Sequence, residues 1–152
     1  MLNGIPSLLT GELLATLDAM GHSDAVVVAD AHFPGAALAD RLIDLPGVST
    51  PQLVRAICAV LPLDDAPTLD LMQSADGVRL PVQDELLAAA GLAGETAVHT
   101  ADEPAAVREL DRFAFYEQAA TAFAIVRTGE LRPYGNAILR KGLAQPDERW
   151  RG

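Results

Sequence analysis

Three clusters in this 152-residue sequence carry side chains suited to proton transfer or to holding a polyol. The first is His22, Asp24, Asp30 and His32. Imidazole titrates near neutrality, so a histidine beside a carboxylate can give or take a proton at physiological pH. The second is Arg112 with Tyr116, four apart and therefore on one face of a helix. The third is the turn-rich run Thr128-Gly129-Glu130-Leu131-Arg132-Pro133-Tyr134-Gly135-Asn136. Tyr134 and Asn136 offer a ring face, a hydroxyl and an amide, the parts that hold a sugar by stacking and two-way hydrogen bonding. Gly135 permits close approach of the chain or a positive φ.

Each cluster also fits a structural role. Asp24 and Asp30 suit turns, and both histidines suit the surface. Arg112 can pair with Glu109 or Glu117, and Tyr116 can snorkel from a core. The 128–136 run also fits an ordinary hairpin turn. Phe113 and Phe115 read as core residues. His22, Asp24, Asp30 and His32 together could ligate a metal, but they lack a recognised ligand spacing. No phosphate-binding glycine loop, dinucleotide fingerprint or Gly-x-Ser-x-Gly elbow is present.

The elements that must carry these residues alternate. Leu13, Leu14, Leu17 and Met20 recur at helical spacing between a Thr10 N-cap and a Gly21 C-cap. Ala25-Val26-Val27-Val28-Ala29 reads as a fully buried strand that delivers Asp30 at its carboxyl end. Ligands gather at such ends in open α/β sheets. One helical turn is expected within 35–40 and a strand over 41–45. Thr50 then caps a helix that begins with Pro51 and runs to about Leu61. A strand over 69–73, a helix over 81–90, a strand over 107–110 and an Asp111-capped helix over 112–122 follow. Strands over 123–128 and 136–140 close the series. The stretch 94–103 gives no clear signal, and the tail from 145 is expected to be loose. The pattern predicts an α/β class, a single layered α/β/α domain over 1–144 with a mixed sheet.

Composition narrows the function. The net charge of −10 repels nucleic acid and anionic membrane, and no basic run offsets it. Half of the residues are hydrophobic and only 5% are aromatic. That surplus of small apolar residues predicts apolar surface buried between subunits. The lone Cys58 lies in an apolar run and reads as inert packing. Without a signal-like N-terminus or an apolar stretch near ~20 residues, a cytoplasmic setting is expected.

Taken in order, Met20-Gly21-His22 with Asp24, Asp30-Ala31-His32-Phe33-Pro34, Arg112-Phe113-Ala114-Phe115-Tyr116-Glu117, Ala122-Phe123-Ala124-Ile125-Val126-Arg127-Thr128-Gly129-Glu130, Tyr134-Gly135-Asn136 and Lys141-Gly142 resemble the L-fucose mutarotase and D-ribose pyranase (RbsD/FucU) family. The resemblance covers positions 2 to about 144. Tyr-Gly-Asn resembles the fucose branch, where the ribose branch usually has Tyr-Ala-Asn. Ser23 departs from the glycine common in the fucose branch, and 69–107 matches poorly.

The resemblance implies an isomerase that acts on free monosaccharides with no metal or organic cofactor. It implies a homodecamer of stacked pentamers with sites between subunits. His22, Asp30, Arg112 and Tyr116 would come from one subunit, and Tyr134 and Asn136 from the next. His22 would be the principal acid/base, with Asp30 orienting it or holding a hydroxyl. Tyr116 and Tyr134 would relay protons or position the ring; Arg112 and Asn136 would bind sugar hydroxyls. The alternatives are pyranose–furanose interconversion of ribose, a non-catalytic sugar-binding oligomer, and a metal-dependent hydrolase.

Overall fold

A computed structural model describes residues 1–147. Its elements follow in the order α1 (Gly11–Ala19), β1 (Ala25–Ala29), α2 (Gly35–Leu38), β2 (Leu42–Leu45), α3 (Thr50–Cys58), β3 (Leu69–Met72), α4 (Pro81–Ala89), β4 (Val107–Leu110), α5 (Arg112–Ala120), β5 (Ala124–Thr128) and β6 (Ala137–Arg140). The strands form one six-stranded sheet in the order β2-β5-β1-β6-β3-β4. β6 runs antiparallel to both its neighbours, β1 and β3, whereas the other pairs are parallel.

Side-chain alternation along β1 divides the core. Val26 and Val28 pack with Leu13 and Leu17 of α1, Leu53 and Ile57 of α3, and Leu86 of α4. Val27 and Ala29 point the other way, onto Phe33, Phe115 and Ala119. With both faces covered, β1 is apolar throughout, as a central strand in a layered sheet must be. The α/β/α arrangement expected from the sequence is the one observed.

Local chemistry explains most element boundaries. Thr10 caps α1 by accepting from Leu13 N–H at 3.2 Å. Asp111 caps α5 through both Phe113 and Ala114 N–H at 2.9 Å. Two caps differ from expectation. Ser49, not Thr50, is the N-cap of α3, because Gln52 lies where its amide can close a capping box. Gly21 does not end α1 with a left-handed residue; the positive φ of that loop falls on Ser23, at +67°. Helix α3 also stops at Cys58, short of Leu61. The stretch 94–103 contributes only an isolated bridge, between Val98 and Arg108. Residues 145–147 carry no helix or strand, and the remainder of the expected loose tail lies outside the described residues.

The segment between β5 and β6 is not a hairpin turn. β1 separates those two strands in the sheet, so residues 129–136 must cross over its carboxyl end. The crossing is pinned where it passes. Thr128 Oγ1 donates to the Ala29 carbonyl at 2.9 Å, and Ala31 N–H donates to the Glu130 carbonyl at 2.9 Å. A Cβ on Gly129 would overlap the Pro46 carbonyl, so this position requires glycine.

Candidate active site

The crossing segment and the end of β1 build an open cavity of about 170 Å³. Asp30, Asn136, Tyr116, Tyr134 and Arg112 all line it. Asp30 and Asn136 are buried at its floor. Asn136 Oδ1 accepts from Asp30 N–H at 2.7 Å, and Asn136 Nδ2 donates to Asp30 Oδ2 at 2.9 Å. The other carboxylate oxygen accepts from His32 N–H at 2.9 Å. Burial pushes the Asp30 carboxyl above the usual carboxylate range, and the His32 N–H and the Asn136 amide oppose that rise. The result is a fixed acceptor with reserve lone pairs toward the cavity, suited to a sugar hydroxyl.

Tyr116 stands on α5 with its ring edge against Phe33, 5.5 Å between centroids. Phe33 in turn meets Phe115 at 5.9 Å, edge to face. This aromatic stack fixes the Tyr116 ring from the core side. Arg112 begins α5 and makes no ion pair with another described residue; its guanidinium lies 5.1 Å from the Phe113 ring centre. Its charge is therefore available to oxygen atoms of a ligand, and neither Glu109 nor Glu117 claims it. Glu109 is engaged instead by Arg79 and His99.

Tyr134 adopts φ +61°, a left-handed conformation uncommon for an aromatic residue. Backbone held in this way at a cavity marks a position whose surroundings over-determine it. Glu130 supplies that restraint. It accepts from Arg132 N–H at 3.1 Å and from Arg132 Nε and Nη2, each at 2.9 Å. The same guanidinium is bidentate to Glu85 of α4, at 2.8 and 2.9 Å. His32 Nε2 meets the Leu131 carbonyl at 3.2 Å. Gly135 has no positive φ; its role is close approach, since a Cβ there would come within 3.1 Å of both Val82 and Glu130 side chains.

His22 is elsewhere. It precedes the five-residue β1 and Asp30 follows it, so the strand, roughly 16 Å long, separates them. Its imidazole is half exposed and lies 3.6 Å from Asp64 Oδ2. The structure therefore brings five of the six sequence-derived site residues together in one chain and leaves His22 at the opposite end of β1. The expected division between subunits is corrected accordingly. Asn136 and Tyr134 belong with Asp30, Arg112 and Tyr116, because Asn136 is hydrogen-bonded to Asp30 within the chain. The metal reading of His22, Asp24, Asp30 and His32 fails on the same geometry, as its members fall at two ends of β1. Among the described residues no three His, Cys, Asp or Glu side chains gather as metal donors.

His32, Phe33, Met72 and Pro133 also line the cavity. His32 was legible as part of the loop after β1, but Met72 carried no signal beyond its place at a strand end. Phe113, expected in the core, is exposed and borders an adjoining cavity with Gln73, Ser74 and Tyr134.

The layered α/β domain thus sets a fixed carboxylate, an amide, two tyrosines and a guanidinium without an ion pair among the described residues around one small cavity, an arrangement suited to a small polyhydroxylated molecule. The chain belongs to the RbsD / FucU transport protein family, whose sequence model matches residues 3–144. It is similar to the fucose mutarotase of Danio rerio, 41% identical over 97% of each chain. It is also similar to that of Homo sapiens, 39% identical over 93% of this chain and 94% of that one. The fucose mutarotase of Streptococcus pneumoniae, solved in complex with L-fucose, superposes with a TM-score of 0.81. It is 35% identical, and the match covers 95% of this chain and 100% of that one. RbsD of Bacillus subtilis, complexed with D-ribose, shares the fold at TM-score 0.72 and 22% identity, over 95% of this chain and 99% of that one.

Proposed function

We propose that this protein interconverts the α and β anomers of L-fucose. The observation that carries this reading is the match of about 40% identity, over nearly the whole of both chains, to proteins named fucose mutarotase. The cavity adds a physical argument, since its size and its polar floor suit a single sugar ring. The fucose-bound neighbour is the more similar of the two sugar complexes in sequence and fold, which favours fucose over ribose.

Mutarotation opens a hemiacetal and recloses it on the other face of the aldehyde. One group takes the anomeric hydroxyl proton while another protonates the ring oxygen. Asp30 and Asn136 hold sugar hydroxyls. Arg112 steadies negative charge developing on oxygen. Tyr116 and Tyr134 position the ring or pass a proton. His22 serves as the principal acid/base, and because one chain holds it at the far end of β1, a neighbouring copy supplies it. Exposed Phe113, Leu131 and Val78 are the kind of apolar surface that such a neighbour covers. The working form is thus a homo-oligomer, with a pentamer or decamer as the assembly suggested by resemblance, and residues 1–144 form its repeating unit. No described helix is long and apolar enough to cross a membrane; a cytoplasmic site of action suits a chain whose one cysteine is unpaired.

Saturation-transfer NMR with L-fucose and D-ribose side by side tests the reading. Accelerated α/β exchange of L-fucose is expected. Acceleration confined to ribose pyranose–furanose exchange, or binding of fucose with exchange at the spontaneous rate, would contradict it.

A further inference from the structure

One residue holds the His22 turn from both sides. We propose that Lys141, which follows β6, is the positioning residue of His22, its ammonium and its main chain together setting where the imidazole stands. This rests on the reading of His22 as acid/base given above.

Helix α1 delivers the chain to His22 without a cap of its own. It ends at Ala19, Met20 turns away in extended backbone at φ −64° and ψ 138°, and the last turn holds no basic residue. Its terminal carbonyls therefore need donors from elsewhere. Lys141 Nζ supplies them, donating to the Leu17, Asp18 and Met20 carbonyls at 2.8, 3.1 and 2.7 Å. These bonds use all three ammonium hydrogens, and they set the positive charge at the negative end of the helix. Lys141 is thus spent on the protein and is not a group for the sugar. It is also the only lysine in the sequence, where every other long basic side chain is arginine. A planar guanidinium does not converge on three carbonyls of one helix end as a tetrahedral ammonium does.

The main chain of the same residue holds the far side of the turn. Ser23 N–H donates to the Lys141 carbonyl at 2.8 Å, and Lys141 N–H donates to the Asp24 carbonyl at 2.9 Å. Between these anchors the turn closes on itself. Gly21 N–H donates to Asp24 Oδ2 at 2.7 Å, and Asp24 N–H donates to the Gly21 carbonyl at 3.2 Å. Among the described residues no hydrogen bond engages the His22 main chain, so its place depends on Met20 before it and on Ser23 and Asp24 after it. Lys141 grips all three. It is itself fixed, by an antiparallel bridge to Leu63 and by the Gly142 N–H, which donates to the Pro62 carbonyl at 2.8 Å. Misplacing a catalytic group by about 1 Å can cost on the order of 100-fold in rate.

The test uses the intact full-chain oligomer and L-fucose exchange by NMR over a range of sugar concentrations. Lys141→Met removes the charge and all three donors. It is expected to lower kcat about 10–100-fold with KM within about threefold of wild type. Lys141→Arg, which returns the charge without the three-point geometry, should fall between the two. In a His22→Ala background Lys141→Met is expected to add no further loss, because Lys141 acts only through the imidazole. A folded Lys141→Met protein with wild-type kcat, or a full additional loss in the His22→Ala background, would overturn the proposal. His22→Ala with normal exchange would instead remove the reading on which it rests, whatever Lys141 does. Acylation of the wild-type oligomer gives an answer independent of variant folding. With no other lysine side chain to react, modification by acetic anhydride reads Lys141 directly in a mass spectrum. Strong protection relative to the urea-unfolded chain is expected, and a native Lys141 acylated as fast as the unfolded one contradicts the clasp.

Discussion

Asn136 grips Asp30 at two points, accepting from its main-chain N–H at 2.7 Å and donating to its carboxylate at 2.9 Å. The amide cannot be reversed, since its oxygen must face the N–H and its nitrogen the carboxylate. Removing it leaves a buried donor and a buried acceptor unsatisfied. Asn136→Ala is expected to lower stability by about 1–3 kcal/mol in urea unfolding. It should also weaken L-fucose binding in an NMR titration. An unchanged unfolding midpoint with unchanged binding would mean the grip is incidental.

The Glu130–Arg132 clamp should appear in the acid limb of stability. Arg132 holds the Glu130 carboxyl below its ordinary value of 4.5. Its stabilisation is therefore present above that value and is lost as pH falls through the lower folded value. In thermal unfolding Glu130→Gln should be less stable than wild type at pH 7, with the gap narrowing as pH drops below the ordinary value of 4.5. A constant gap would contradict the clamp. Exchange in this variant should slow too, because Tyr134 at φ +61° loses its restraint.

Asp30 has the opposite sign. Burial raises its folded value above 3.8, so between the two values the native state binds more protons than the unfolded one. Its contribution to stability declines as pH rises through that window. Function runs the other way, because a protonated carboxyl loses acceptor capacity toward sugar hydroxyls. L-fucose affinity should fall on acidification through the raised Asp30 value. In Asp30→Asn the affinity at pH 7 should already be weak and should show a smaller acid dependence. Identical pH profiles for both proteins would contradict this.

Cys58 should be inert. Burial pushes its thiol up to about 11, so little thiolate exists at neutral pH. Alkylation of the native protein at pH 8 should be far slower than that of the urea-unfolded chain, and activity should survive the reagent.

Much of this was legible in the sequence because local patterns repeat the global arrangement. The run of branched residues in β1 requires burial on both faces, and Asp111 requires a helix behind it. Long-range pairing left no such trace. Nothing between Thr128 and Asn136 distinguishes a hairpin from a crossing over β1, yet only the crossing brings Asn136 to Asp30. Phe113 and Phe115 also looked alike. On a helix, neighbours two apart face different ways, so Phe115 enters the core while Phe113 stays exposed. The separation of His22 from Asp30 follows from the length of one strand, and the sequence distance of eight residues concealed it.

The proposed catalytic site takes His22 from one copy and the Asp30–Asn136 floor from another. Complementation measures this directly. His22→Ala and Asn136→Ala proteins are purified, unfolded, mixed equally and refolded together, and L-fucose exchange is read by NMR. Each variant alone should be nearly inactive. Random co-assembly should restore about a quarter of wild-type exchange, because about one site in four then receives both intact contributions. Mixed oligomers that form but recover no exchange would contradict a site shared between copies.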